Sequence, residues 1–212
     1  KYIRKIVQAA GPLPGDALIE IGPGLGALTE ALIDSGADVT AIELDRDLAR
    51  LLRERYAARQ NFSLVEQDAL QVDFSRIAPS GSKLVANLPY NISTAILQRL
   101  SEQRTCFSML VLMFQKEVVD RITAQPGNSE RGFLTVLVES AFQVEMLFDV
   151  PATAFRPAPK VTSSVVRLVP KPRHITDEGA FRGLVSEAFT QKRKTIQNNL
   201  KARHPNAAEA LE

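Results

Sequence analysis

Residues 87–90 read Asn-Leu-Pro-Tyr and follow the apolar run LVA, so a buried strand ends in an amide, an aliphatic residue, a proline and a phenol. One chemistry needs that order. An exocyclic amine on adenine or cytosine is a poor nucleophile because its lone pair is delocalised into the ring. To attack a sulfonium methyl it must become pyramidal, and two acceptors placed at its two N–H groups favour that geometry. Asn87 can offer its side-chain oxygen and Leu88 its carbonyl, while Pro89 fixes the turn and brings no competing N–H. Tyr90 supplies a flat face for the base. The arrangement calls for no strong base, and the two histidines, His174 and His204, lie in a basic tail outside this edge. Transfer is then a direct in-line displacement that needs alignment and desolvation. Because a stacked base hides its amine, the target must be looped or flipped out, and a second stacking platform is expected. Phe155, in the corner AFRPAPK, is the candidate, with a hydrophobic anchor for that corner as the plainer reading.

The methyl donor must come from elsewhere in the chain. Residues 20–26, EIGPGLG, sit where a strand hands over to a helix, the usual ligand crevice of parallel sheets. Gly22, Gly24 and Ala27 also satisfy the dinucleotide fingerprint, with Glu43 where that fingerprint wants a ribose-binding acid. The glycines alone therefore indicate only a nucleotide-like ligand, and a tight turn without ligand is the plain alternative. Three further positions separate the possibilities. Glu20 precedes the glycines, Asp68 ends the third strand with Ala69 beside it, and Asn87 ends the fourth. Four consecutive strands thus deliver polar residues to one edge. S-adenosylmethionine uses such a series: a loop beside methionine, a carboxylate for the ribose hydroxyls and a carboxylate for the adenine amino group, each a charge-assisted acceptor. No metal is called for.

The elements that must position these residues read as alternating strands and helices. A helix ends near residue 10, with Ile3, Ile6 and Val7 on one face, and is broken by GPLPG. ALIEIGP, DVTAIELD, SLVEQD and KLVANLPY read as four strands. ALTEALIDSG and DRDLARLLRERYAAR are the helices between the first three. STAILQRLSEQ follows as a helix with Ser93 or Thr94 as its cap, then the apolar run CFSMLVLMFQ as a central strand. KEVVDRITAQ and FLTVLVESAF are further helices, and QVEMLFDV and SSVVRLVP are two late strands around a proline-rich corner. The expected fold is α/β and Rossmann-like: a mostly parallel seven-stranded sheet with helices on both faces, closed by an antiparallel pair, with a small C-terminal helical domain. The boundary falls at 1–175 and 176–212.

Composition agrees with one sizeable globular domain and an appendage: 212 residues, 45% apolar and 24% charged. No apolar run approaches the ~20 residues that cross a bilayer. The sole cysteine, Cys106, lies in an apolar run and reads as a buried structural thiol, which suits a reducing cytoplasm. No exposed apolar seam is evident, so a monomer is expected. Net charge is +2 but uneven: residues 1–150 hold 15 Lys and Arg against 19 Asp and Glu, whereas residues 151–212 hold 11 against 5. The basic character belongs to the last third, where a polyanion surface and a solvated helix face are the two readings.

EIGPGLG, IELD, QDAL, NLPYNIST, FQKEVVDR, PATAFRPAPKV with SSVVRLVP, and AFTQKRKTIQNNLK together resemble the small-subunit ribosomal RNA adenine dimethyltransferases of the KsgA type, in order and over nearly the whole chain. NLPY is itself a variant of the Asp/Asn-Pro-Pro-Tyr/Phe device of amino methyltransferases. The resemblance implies S-adenosylmethionine-dependent dimethylation at N6 of two adjacent adenosines in the hairpin loop near the 3′ end of small-subunit rRNA, during late subunit assembly in the cytoplasm. It implies cofactor contacts from Gly22, Glu43, Asp68 and Asn87, and an adenine held by Asn87 to Tyr90 with Phe155. It favours RNA phosphates as partners of the tail cations Arg182, Lys192, Arg193, Lys194 and Lys201, read here on consecutive helical turns. The family's usual opening segment containing Gln-Asn-Phe-Leu does not precede Lys1, and the tail ends early, so weak cofactor binding is expected of this stretch by itself. Three rivals stay open: a large-subunit rRNA adenine methyltransferase of the macrolide-resistance type, a non-catalytic assembly factor, and, least well supported, an NAD oxidoreductase.

Overall fold

The computed structural model describes residues 1–89, 92–156, 158–172, 175–191, 193–201 and 203–206. Seven strands form one sheet: β1 (Ala17–Ile21), β2 (Asp38–Glu43), β3 (Phe62–Glu66), β4 (Ser82–Asn87), β5 (Phe107–Gln115), β6 (Phe142–Val150) and β7 (Ser163–Pro170). Helices α1 (Tyr2–Ala10), α2 (Ala27–Ile33), α3 (Arg46–Arg55), α4 (Ser93–Glu102), α5 (Lys116–Ile122) and α6 (Phe133–Ala141) flank it, and α7 (Glu178–Ala188) and α8 (Ile196–Leu200) make the tail. The strand order is β3-β2-β1-β4-β5-β7-β6. The first five strands in that order are parallel, while β7 runs antiparallel to both β5 and β6.

The central strands are buried on both faces, which is why they read as unbroken apolar runs. Successive side chains of β5 point to opposite sides. Leu110, Leu112 and Phe114 join one core layer with Ile96, Leu97 and Leu100 of α4 and Leu134 and Val138 of α6. Val111 and Met113 join the other, with Ile6 of α1, Leu28 and Leu32 of α2 and Leu52 of α3. Asp45 starts α3 by accepting from Asp47 N–H at 2.9 Å and Leu48 N–H at 3.0 Å, a cap worth about 1 kcal/mol.

Two local expectations are corrected. Neither Ser93 nor Thr94 caps α4. Ile92, whose N–H donates to Pro89 carbonyl, holds the cap position without a side-chain cap, and Ser93 is already buried in the helix's first turn. The tail cations are also not on one continuous helix. Asn199 Nδ2 donates to the carbonyls of Ala188 and Gln191, satisfying the end of α7, and Thr195 Oγ1 accepts from Asn198 N–H to start α8. With both ends capped by side chains, the described residues between α7 and α8, 189–191 and 193–195, are a connection.

The tail is tied to the body through α7. Arg104, 3% exposed, donates to Glu178 Oε1 at 2.7 Å and to Ser101 carbonyl at 3.0 Å. Arg182 pairs with Glu102 and reaches Gln98 Oε1 at 3.4 Å. Among the described residues no helix is long and apolar enough to cross a membrane, and no cluster of His, Cys, Asp or Glu is placed to hold a metal ion.

Candidate active site

The strand order reverses between β1 and β4, and ligands of open parallel sheets bind at that switch point, outside the carboxyl ends of the strands. The glycine loop leaves β1 there and the Asn-Leu-Pro turn leaves β4 beside it, Ile21 pairing with Ala86 in register. Gly22 (φ +68°) faces that turn: a Cβ on it would stand 3.9 Å from Asn87 carbonyl and 4.0 Å from Pro89 Cδ. Above Gly24 a Cβ would meet nothing within 4 Å, so the loop is open to a ligand.

Two residues outside the loop hold its shape. Tyr56, buried at the end of α3, donates its hydroxyl to Gly26 carbonyl at 2.9 Å. A Cβ on Gly26 would lie 2.7 Å from that hydroxyl oxygen, and with φ at +82° the position admits only glycine. Arg55 donates to Leu25 carbonyl at 2.9 Å and to Glu30 at 2.7 Å. Neither anchor was read from sequence, because each lies about 30 positions from its partner within an ordinary helical pattern.

Glu43, at the end of β2, accepts three backbone N–H groups: Leu44 at 2.9 Å and Asp45 at 3.0 Å on Oε1, and Gly24 at 3.2 Å on Oε2. A carboxylate offers about four lone-pair sites, so roughly one is left for an incoming hydroxyl. The carboxylate thereby couples the second strand to the glycine loop. Asp68 lies past β3, half-buried, with Oδ1 accepting from Leu70 N–H at 2.9 Å, and Ala69 is buried next to it.

Glu20, Gly22, Asn87 and Phe155 line one cavity of about 260 Å³, closed on one side by Tyr2, Ile3 and Ile6 of α1. Glu20 is 1% exposed, and burial pushes its carboxyl up to about 7. The nearby Thr29 hydroxyl opposes that rise and Glu43 repulsion adds to it. Yet Thr29 Oγ1 and Glu20 Oε2 fall short of hydrogen-bond geometry, and both atoms are buried without a partner among the described residues. A buried carboxylate oxygen with no partner at a ligand cavity is suited to receive a hydrogen-bond donor from a bound molecule. Asn87 itself is exposed to the crevice, the Leu88 side chain is buried while its N–H donates to Met113 carbonyl at 3.3 Å, and Pro89 is exposed. Phe155 packs partly against the core layer of α1 and α2 while lining the cavity, so the anchor and platform readings are compatible.

The family model for ribosomal RNA adenine dimethylase matches residues 1–212. The chain belongs to that family. A relative from Acinetobacter baylyi named ribosomal RNA small subunit methyltransferase A is 50% identical over 206 residues, covering 95% of this chain and 75% of that protein. A namesake from Aromatoleum aromaticum is 46% identical over 202 residues, covering 94% and 76%. Among solved structures, a dimethyladenosine transferase from Plasmodium falciparum superposes with a TM-score of 0.83 at 32% identity, covering 99% of this chain and 76% of that one. The 23S rRNA methyltransferase ErmE gives 0.76 at 30%, covering 99% and 85%. The fold is that of the class I methyltransferases.

Within this adenine dimethylase, the remaining sequence candidates are dispersed. Arg193, Lys194 and Lys201 are exposed on the tail, whereas Arg182 is engaged by Glu102 and Gln98 at the junction with α4. His204 meets Glu187 at 3.0 Å on the tail, away from the cavity. Tyr90, Lys192 and His174 lie outside the described residues. Besides Tyr56 and Arg55, sequence reasoning passed over Thr29, the α1 wall of the cavity, and Arg156 in its lining. For Arg156 a signal existed: it follows Phe155 directly in AFRPAPK.

Proposed function

We propose that this chain dimethylates N6 of two adjacent adenosines in the 3′-terminal hairpin loop of small-subunit rRNA, using S-adenosylmethionine, during assembly of the small ribosomal subunit. The observation that carries the proposal is the single cavity lined jointly by the first-strand glycine, Glu20, Asn87 and Phe155. The chain's residues fit the cofactor: Glu20 Oε2 lacks the N–H donor that an α-ammonium would supply, the space above Gly24 is open, and Glu43 keeps about one acceptor site for a ribose hydroxyl. Asp68, beside Ala69, is assigned to the adenine amine of the cofactor. When bound, S-adenosylmethionine supplies an electrophilic methyl carbon on a cationic sulfur.

The work left to the protein is then orientation. Asn87 and the Leu88 carbonyl accept from the two N–H groups of the target amine and direct its lone pair outward, Pro89 keeps the turn free of a competing donor, and Tyr90 and Phe155 sandwich the base. The apolar wall from α1 excludes water. We assign residues 1–175 to this chemistry and residues 176–212 to RNA contact, with Arg193, Lys194, Lys192 and Lys201 on phosphates. Arg182 is given the further role of holding α7 to the body. The protein is taken to act as a monomer, in the cytoplasm, on the small subunit or its precursor.

The small-subunit choice over a 23S target is supported by the names and higher identity of the relatives from Acinetobacter and Aromatoleum. The direct test supplies radiolabelled S-adenosylmethionine with small subunits that lack the modification and, in parallel, with protein-free large-subunit rRNA. Label at adenine N6 near the 3′ end of the small-subunit RNA is expected. Label only in large-subunit rRNA would favour the macrolide-resistance reading, and tight subunit binding without transfer would favour an assembly factor.

A further inference from the structure

The reactive cavity has one cation in its lining among the described residues, Arg156. It is exposed, and among the described residues its guanidinium makes no ion pair or hydrogen bond. Several arginines of the body, Arg55, Arg59, Arg99, Arg104, Arg131 and Arg167, each meet a carboxylate; among the described residues Arg4 and Arg121 share the unpaired state of Arg156, but neither lines this cavity. Arg156 follows Phe155, whose backbone is extended at φ −112° and ψ 155°. Neighbouring side chains on extended backbone point to opposite sides. Phe155 turns toward the core and the cavity, and Arg156 stays at the rim.

The position within the sheet says which ligand the rim serves. Of the residues suited to the cofactor, Gly24, Glu43 and Asp68 follow β1, β2 and β3, on one side of the switch point, while Glu20 of β1 lies deep in the cavity that Arg156 also lines. Arg156 sits in the connection from β6 to β7, on the other half of the sheet, which Asn87 separates from the first. A flipped nucleotide entering that half brings a neutral base to Asn87 and Phe155 and leaves its negatively charged phosphodiesters at the mouth. The apolar walls come from Ile3, Ile6 and Met113, Lys1 lies over the Tyr2 ring outside the lining, and the one anion of the lining, Glu20, lies deep. A guanidinium matches a phosphate with two parallel N–H bonds.

We propose that Arg156 grips a phosphodiester flanking the flipped adenosine and so holds the RNA at the mouth of the cavity in ground state and transition state alike. The proposal rests on the RNA methyltransferase reading given above. It distinguishes Arg156 from the tail cations, which would hold the RNA at a distance from the reacting amine.

The test compares wild type, Arg156→Ala and Arg156→Lys in methyl transfer to unmodified small subunits over a range of salt, with S-adenosylmethionine affinity measured by calorimetry. Arg156→Ala should raise KM for the subunit about 10-fold, the scale of one charge-assisted hydrogen-bonded contact, and leave kcat within a factor of about 3. It should flatten the salt slope by ~0.7, the value for one lost phosphate contact on a single strand. Arg156→Lys should recover the slope but only part of the affinity, since an ammonium keeps the charge without the fork. Thermal stability should be equal in all three, because the side chain is exposed. Unchanged KM and slope in Arg156→Ala would overturn the proposal, as would a selective loss of S-adenosylmethionine affinity, which would assign the guanidinium to the cofactor carboxylate. Wild-type protein that leaves the RNA unmethylated would instead overturn the underlying reading, and this proposal with it.

Discussion

Glu20 is the residue whose environment has the clearest measurable consequence. Burial raises its carboxyl from 4.5 to about 7, with Thr29 opposing and Glu43 assisting. The folded state therefore holds a proton that the unfolded chain has released, so this group's contribution to stability is complete below about pH 4.5 and is lost as pH rises through 7. The difference corresponds to about 3 kcal/mol. Glu20→Gln, which removes the titration at nearly constant shape, should flatten stability between pH 4.5 and 7 and raise the melting temperature at pH 8. The same substitution should weaken S-adenosylmethionine binding, because an amide lacks the charge to receive an α-ammonium. In wild type, cofactor affinity should fall as pH drops below 7, where the carboxyl gains its proton. Denaturant melts and calorimetry across pH 5–8 measure both effects, and an unchanged stability slope in Glu20→Gln would remove Glu20 as their source.

At the scale of elements, the tail is two short capped helices whose exposed cations sit between and after them. Replacing Arg193 and Lys194 together with alanine should weaken subunit binding and lower the salt slope by about 1.4, two contacts at ~0.7 each. An unaltered slope would return these residues to the role of a solvated surface. The break that exposes them was hidden from sequence because it depends on Asn199 reaching back to Ala188 and Gln191, a tertiary use of an ordinary helical residue. Ser93 does not cap α4: Ser and Thr favour that position in general, but here Ile92 holds it and Ser93 lies one residue inside the helix. Strands fared better. Parallel strands buried on both faces leave long apolar runs, and those of β1, β4 and β5 identify themselves without reference to partners.

At the scale of the whole molecule, alternation of strands and helices was legible, and so were the two turns that meet at the switch point, since glycine and proline mark turns locally. The placing of β7 between β5 and β6 was not, because no local pattern encodes which strands pair. Gly22 and Asn87 could be named in advance, and Arg156 stood next to the named Phe155, while Tyr56 and Thr29 became visible only when the fold carried distant segments to one crevice. The account depends on that crevice serving an amine held by Asn87. Its most direct test is the single-turnover rate of methyl transfer to unmodified small subunits, with cofactor and subunit saturating, for wild type and Asn87→Ala. A loss of at least ~10²-fold is predicted, comparable to removing one preorganised group at a transition state; a variant that transfers methyl groups at the wild-type rate would contradict the account.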